Sequence, residues 1–403
     1  MTDPNAICPP PADGRAWVEV DADALRANAA SLAAKAGTGV ALVPMVKADG
    51  YGLGAVEVAR SLAPLKPWKL GVAAVAEGTA LRRAGIAAPI FVASPALPSE
   101  IGVAVASGFE LAITDLDQLR GIRELRAARS GGGAGKHGAD RGPPVRVHLE
   151  IDTGMGRAGF DWRRASTWAP EVAGLLGRGR SADGAEPTLV LEGIFSHLHS
   201  ADESEPSIRE QRMRLESALA RLAPRRPAAV HLLNSAGVLR APDLAADAIR
   251  PGIFLYGGRP ASDLELPRPV ATVKARVAHV KEAGPGDTVG YGATYTARRH
   301  ERWATLAIGY GDGLPRRLGD RGWAVLGGRP APLIGRTSMD VTVVRVDAAQ
   351  EVRRGDVATV IGPGGDEGLA LHEVATLADT IPYEILTGLS PRLPRIWKGV
   401  PID

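Results

Sequence analysis

With 403 residues, 45% of them hydrophobic and 23% charged, the chain is too long for one small core and too evenly composed for disorder, so two domains are expected. Its 48 Lys and Arg against 45 Asp and Glu leave a net charge of +3 with no long run of like charges, which argues against nucleic acid or an anionic membrane as partner. The single cysteine, Cys8, allows neither an internal disulfide nor a cysteine zinc site, the opening MTDPNAICPPPADGR has no apolar core of a signal peptide, and no stretch is long enough to span a membrane; a soluble, cytoplasmic protein without a structural metal is the expectation.

Taken in chain order, AWVEV (Ala16–Val20) comes first and stands alone. A series then begins at Val40–Lys47 (VALVPMVK). It continues through Leu70–Val75, Pro89–Ser94, Glu110–Thr114, Val145–Asp152, Leu189–His197, Ala229–Asn234 and Asp247–Tyr256, with helical pattern between the runs. Each run is almost continuously apolar, as in a strand buried on both faces. Eight such β-then-α units over roughly 220 residues predict a (β/α)₈ TIM-type barrel, with an open doubly wound sheet as the alternative. Ser130–Pro144 and Gly177–Glu186 read as surface loops. Past about residue 265 the pattern becomes short β-rich runs separated by Gly, Pro and Asp, with little helix before Leu371–Leu377. The expected plan is an N-terminal segment, 1–20, pairing with the β domain, then a barrel over 21–262 and a mostly β C-terminal domain over 263–403.

A barrel places function at the carboxyl ends of its strands. The polar residues there are Lys47, Glu77, Ser94, Thr114, Asp152 with Arg157, His197, Asn234 with Ser235, and Arg250. Lys47, in VKADGYG, ends an apolar run; desolvation would lower its pKa and free the amine for Schiff-base chemistry, although position alone favours a snorkelling lysine. In RPGIFLYGG, Gly252 and the Ile253 amide follow a strand end, either as an ordinary turn or as a site where backbone approaches a phosphate. Ser235 of NSAG is a turn serine or a phosphate donor on the neighbouring strand end.

VKADGYGLGA, DTGMGRAGF, GIFSHL, HLLNSAG, RPGIFLYGG, VGYGATY, IGYGDG, GRTSMD, IPYEI and PRLPRIW occur here in the order found in the alanine racemase family, and the resemblance runs from Ala16 to Trp397. It implies an amino-acid racemase using pyridoxal 5'-phosphate, alanine as substrate, and a homodimer with shared active sites. Lys47 would carry the cofactor and exchange the α-proton on one face, and Tyr291, from the partner subunit, on the other. The resemblance gives Tyr51, Ser235, Gly252, Ile253 and Tyr383 the phosphate. Arg157 and the Met339 amide would take the substrate carboxylate, and Arg250 the pyridine nitrogen. His197 would stack on the ring and link to Tyr291, and Tyr310 would line the entrance. Without the resemblance, Tyr291 reads as an exposed hairpin aromatic, His197 as a core histidine and Arg157 as a solvated loop arginine.

The chemistry asks for these groups on its own terms. Racemisation needs two bases on opposite faces, since a single base tends to return the proton to the face it left. Lysine and tyrosine both ionise near ~10 when unperturbed and must be tuned towards neutrality. Positive charge from Arg250 through His197 is the expected means for the tyrosine. An arginine on the pyridine nitrogen keeps that nitrogen unprotonated and weakens the electron sink.

Many family members carry a carbamylated lysine where this chain has Glu150, and Val341 replaces a usual Gln. Alternation along VRVHLEID sets His148, Glu150 and Asp152 on one face, and the turn TGMG lets Arg157 fold back over the strand end, so Glu150 is expected to orient Arg157 by a charge-assisted contact, the alternative being a barrel glutamate bonded to other groups. Two other classes share parts of the plan: barrel-type decarboxylases, which usually place an acid rather than an arginine on the pyridine nitrogen, and barrel-only cofactor-binding proteins, which lack the β domain. Whether the substrate range is alanine alone or broader is left open.

Overall fold

The computed structural model describes residues 14–130, 143–176, 189–222, 227–347, 349–365 and 367–400. The expected loop Gly177–Glu186 lies outside these residues, as does all of Ser130–Pro144 except its ends. The chain forms two compact units, one of Ala30–Ala48 with Leu65–Gly252 and one of Met1–Ala29, Asp49–Pro64 and Ile253–Asp403.

Strand β1 (Ala16–Asp21) belongs to the second of these. The first holds β2 (Ala41–Leu42), β3 (Leu70–Val72), β4 (Ile90–Val92), β5 (Glu110–Ile113), β6 (Val145–Asp152), β7 (Phe160–Asp161), β8 (Leu189–Phe195), β9 (Ala229–His231) and β10 (Ala248–Ile249). They pair in parallel in the order β2-β10-β9-β8-β6-β5-β4-β3, with β7 on β6. A parallel bridge from Met45 to Gly71 joins the two ends of that order, so the sheet closes as a barrel. Gly71 makes the closure possible: a Cβ there would lie 2.4 Å from the Met45 sulfur. Large and small residues share the interior, where Phe91 and Phe195 pack with Val43, Ala112 and Ala248, the filling expected of a small barrel. Helices such as Val75–Arg83, Pro98–Ala106 and Glu205–Leu222 follow the strands. The run Asp247–Tyr256 supplies less strand than its apolar letters suggest. Only Ala248–Ile249 pair, and Ile253–Tyr256 is a 3₁₀ turn. Pro251, with no N–H to donate to a ladder, ends the strand there.

In the second unit β11 (Ala271–Ala283) is the organising strand. Around it lie β12 (Thr288–Val289), β13 (Tyr295–Thr296), β14 (Glu301–Leu306), β15 (Trp323–Leu326), β16 (Arg329–Pro332), β17 (Thr342–Val346), β18 (Val357–Ile361) and β19 (Arg395–Lys398). β11 alternates buried and half-buried residues along its first half, the mark of a strand with one face in the core. It pairs with β18 through Val273–Arg276 and with β14 through Val277–Ala283, and a bulge between Val277 and His279 marks the change of partner. β1 pairs antiparallel with β11 and parallel with β19. No helix among the described residues is long and apolar enough to cross a membrane.

Gly52 shows how tightly this unit is fitted. Its φ is +81°, a Cβ would sit 2.4 Å from the Leu386 carbonyl oxygen, and its own carbonyl accepts from Arg395 Nε at 3.0 Å. Gly286 has a comparable φ of +92° with open space around it. Gly286→Ala should therefore cost only the backbone term, about 1 kcal/mol, while Gly52→Ala should add overpacking and reach roughly 2–4 kcal/mol. Urea midpoints of the two variants check this; equal losses would show that the Leu386 contact relaxes freely.

Candidate active site

At the carboxyl ends of the barrel strands lies a group of charges. The Lys47 amine is held below its ordinary range by burial first, then by the positive charges of Arg157 and Arg250, with Glu77 pulling the other way. Glu77 also fixes the backbone after the lysine: its carboxylate accepts the N–H groups of Ala48 at 2.7 Å, Ala73 at 2.8 Å and Ala74 at 3.1 Å.

Arg250 follows β10 and is buried. Nη1 donates to His231 Nδ1 at 2.9 Å and to the His231 carbonyl at 2.7 Å; Nη2 donates to the Ser196 and Leu232 carbonyls at 2.7 and 3.4 Å. None of these bonds uses Nε. Burial draws the guanidinium down to about 10, which leaves it charged at neutral pH, and Glu150 opposes that drop. His197 is pushed down to about 3 by burial and by Arg250, Arg157 and Lys47, so its ring is neutral. Arg250 reaches His197 through its field. The imidazole bonded to Arg250 is that of His231, because β9 and β10 are neighbours and bring the two side chains together.

Glu150 also departs from expectation. Burial raises its carboxyl above the ordinary value, while Arg157 and Arg250 lower it, yet among the described residues no hydrogen bond or salt bridge joins Glu150 to Arg157. The turn between them is closed by other groups. Asp152 Oδ1 accepts from the Gly154 and Gly156 N–H groups at 2.9 and 3.1 Å, and the chain returns at once as β7 along β6. Gly159 packs so close that a Cβ would lie 2.8 Å from the Glu150 carbonyl oxygen. Arg157 thus acts on Glu150 through its field, without contact.

Ser235 and Gly252 are brought together, the serine Oγ accepting the glycine N–H at 2.9 Å. In the other unit Tyr51 and Tyr256 are buried with stacked rings, 4.4 Å between centroids, and Tyr383 lies 6.1 Å from Tyr51. Burial raises both the Tyr51 and Tyr256 hydroxyls, so they stay protonated donors. The same unit carries Ile253 at the start of its 3₁₀ turn, whose carbonyl accepts the Gly258 N–H at 3.0 Å. Tyr310 and Met339 are tied to one another's segments, since Tyr310 N–H donates to Ser338 at 3.0 Å and Gly311 N–H to Met339 at 2.8 Å. Both side chains are exposed, and so is Tyr291, at 67%, on the turn of the β12–β13 hairpin.

Inspection of the sequence missed the buried partners of Arg250. His231 opens HLLNSAG and His148 shares a face with Glu150 in VRVHLEID, so both carried a signal. Lys69 and Glu110, at the starts of their strands, carried none.

Fold and site together define a class: a parallel barrel with a desolvated amine at its carboxyl face, accompanied by a β domain. The chain matches the family described as alanine racemase, N-terminal domain, over residues 20–260, and that described as alanine racemase, C-terminal domain, over 270–397. It is 41% identical over 390 residues to the alanine racemase of Symbiobacterium thermophilum, covering 95% of this chain and 97% of that protein. The alanine racemase of Halothermothrix orenii is 36% identical over 391 residues, covering 95% and 97%. Among solved structures, alanine racemase from Clostridium difficile 630 superposes with a TM-score of 0.84 at 30% identity, covering 95% of each chain. The Bacillus anthracis alanine racemase with bound L-Ala-P does so at 0.81 and 33%, covering 96% of each. The chain belongs to the alanine racemase family.

The buried histidines set an acid limit on stability. His148, His197 and His231 all ionise below their ordinary value of 6.5 in the fold, burial being the largest cause for each. The unfolded chain therefore binds protons first as pH falls, so this stability is fully present above 6.5 and is lost below it. Each histidine adds at most about 1.4 kcal/mol per pH unit, and the three together roughly 4, partly offset where the raised Glu150 carboxyl takes up a proton in the fold. Unfolding free energies at pH 7.5 and 5.5 should differ by several kcal/mol; a flat profile would mean that these rings are protonated in the native state.

Proposed function

We propose that this chain is a pyridoxal 5'-phosphate-dependent racemase interconverting L- and D-alanine by transfers at Lys47 and Tyr291, acting as a cytoplasmic homodimer. The observation that carries the reading is the pairing of a desolvated Lys47 amine with a buried Arg250 whose four Nη hydrogens are engaged and whose Nε lies outside those bonds. This donor set fits the cofactor. An amine of lowered basicity suits its aldehyde, and a guanidinium that keeps its proton suits an unprotonated ring nitrogen. The Ser235 hydroxyl beside the Gly252 amide is a neutral pair suited to its phosphate, and we assign Ile253, Tyr51 and Tyr383 to the same role.

When bound, the cofactor would supply an electron sink that makes the α-hydrogen of an amino acid acidic. Lys47 holds it covalently and, once released, moves a proton at its Nζ on one face of the substrate. Tyr291 of the partner subunit moves one at its hydroxyl on the opposite face. Arg157 and the Met339 amide bind the substrate carboxylate, His197 packs on the cofactor ring as a neutral imidazole, and Tyr310 lines the entrance. We assign the barrel domain to 21–262 and the β domain to 263–403, with 1–20 paired to the latter.

Chiral chromatography of L-alanine incubated with the loaded enzyme should show D-alanine and no loss of carbon dioxide; decarboxylation instead would move the chain to the other barrel class. Borohydride reduction and peptide mapping should label Lys47, and label on any other lysine would overturn the assignment. Lys47→Ala and Tyr291→Phe chains should each be inactive, whereas their mixture after subunit exchange should regain activity. Each mixed dimer then holds one intact site and one carrying both lesions. Absence of recovery despite proven exchange would sink the shared site.

A further inference from the structure

Arg250 is the end of a hydrogen-bonded chain that runs the length of the barrel interior. Its Nη1 meets His231 Nδ1 at 2.9 Å; His231 Nε2 meets His148 Nδ1 at 2.9 Å; His148 Nε2 meets Glu110 Oε2 at 2.8 Å. Glu110 Oε1 accepts from Lys69 Nζ at 2.6 Å, and Lys69 also reaches Glu192, which pairs with the half-exposed Arg146. Arg250 follows β10 at the carboxyl end, whereas Glu110 opens β5 at the amino end.

The chain has one sense only. A guanidinium can only donate, so His231 Nδ1 accepts and its proton lies on Nε2. That proton makes His148 Nδ1 an acceptor, which puts the His148 proton on Nε2, facing a carboxylate that can only accept when ionised. Both rings are neutral, and every donor points from Arg250 towards Glu110. The surroundings are apolar and fitted to these rings, both of which are fully buried. Phe195 stacks on His231 at 5.1 Å, and Phe91 lies 4.3 Å from His148. Gly193 gives His148 its room, since a Cβ there would fall 2.1 Å from Nδ1.

We propose that Glu110, His148 and His231 are positioning residues that lock the imidazole tautomers so that Arg250 spends its four Nη hydrogens inside the barrel wall and keeps only Nε–H for an acceptor in the active site. That the acceptor is the ring nitrogen of the cofactor rests on the function proposed above; the lock itself does not.

Glu110→Gln is the discriminating variant. Lys69 can only donate, so the Gln carbonyl must face Lys69 and its NH₂ must face His148 Nε2. This forces the His148 proton to Nδ1 and in turn the His231 proton to Nδ1, against Arg250. Long-range proton–nitrogen spectra of histidine-labelled, cofactor-free protein should show both rings as Nε2–H tautomers in the parent and His148 as Nδ1–H in Glu110→Gln. In the loaded enzyme this variant should lose about tenfold in kcat with KM for alanine little changed, and Glu110→Asp should retain the parent tautomers and most of the rate. Should Glu110→Gln not fold, Gly193→Ala displaces the His148 ring and should leave His148 a mixture of tautomers with a similar loss in kcat. An unmoved His148 tautomer in a folded Glu110→Gln, or a doubly protonated ring in the parent at neutral pH, would overturn the lock. Intact tautomers with no borohydride label at Lys47 would instead overturn the function and leave the lock standing.

Discussion

The burial of one guanidinium governs the rest of the barrel mouth. Removing Arg250 from water costs several kcal/mol, and only well-made bonds offset that cost. Its acceptors are carbonyls and a ring nitrogen at Ser196, His231 and Leu232, so the segments after β8, β9 and β10 are drawn onto a single side chain. Bonds to a charged group contribute about 1.5–3 kcal/mol each, which makes these contacts specific in geometry as well as favourable. The same charge then acts at a distance. It helps to keep the Lys47 amine, His197 and His231 from holding an extra proton. One buried cation thus orders the strand ends and adds to the burial that lowers the amine's basicity.

Holding the lysine in place has its own cost. Ala48, Asp49, Gly50 and Tyr51 all have φ between +51° and +61°, a left-handed turn immediately after Lys47. Each non-glycine residue in that conformation costs roughly 1–2 kcal/mol. Local bonds hold it: Glu77 takes the Ala48 N–H, Asp49 Oδ1 accepts from Ala55 N–H at 2.9 Å, and the Asp49 carbonyl accepts from Gly54 N–H at 2.8 Å. Strain of this kind persists only where neighbours over-determine the backbone. Here it turns the chain abruptly at the lysine, two residues past the Met45 bridge to Gly71.

Much of this fold was legible in the sequence because barrel strands buried on both faces read as continuous apolar runs, and the β domain reads as short runs between turns. The length of the last barrel strand was not, because IFLY is as apolar as a strand but follows a proline that cannot join a ladder. The members of the site were named by motif, whereas their pairings were hidden. That Arg250 meets His231 depends on β9 and β10 being neighbours, and that Glu150 misses Arg157 depends on Asp152 closing the turn. Such contacts are set by tertiary geometry, to which residue spacing along the chain is blind. Lys69 and Glu110 show the limit most clearly: charged letters at strand starts give no sign of burial, yet they pair in the interior at 2.6 Å.

Glu150 has its place in this electrostatic arrangement. Lys47, Arg157 and Arg250 crowd positive charge at the barrel mouth: Lys47 is moved towards its neutral form by burial, Arg157 and Arg250, and Arg250 by burial and Arg157. For the amine that shift is useful, since a neutral lysine is the reactive one. For the guanidinium it is harmful, since its Nη bonds depend on charge. A uniform anion at the mouth would raise both. Glu150 instead supports Arg250, where its field is the largest effect opposing burial, and it is absent from the causes acting on Lys47, where Glu77 plays that part. The two carboxylates therefore divide the work, one sustaining the arginine's charge and the other fixing the lysine's backbone. A direct Glu150–Arg157 pair would weaken this division by spending the carboxylate on an arginine outside the barrel wall.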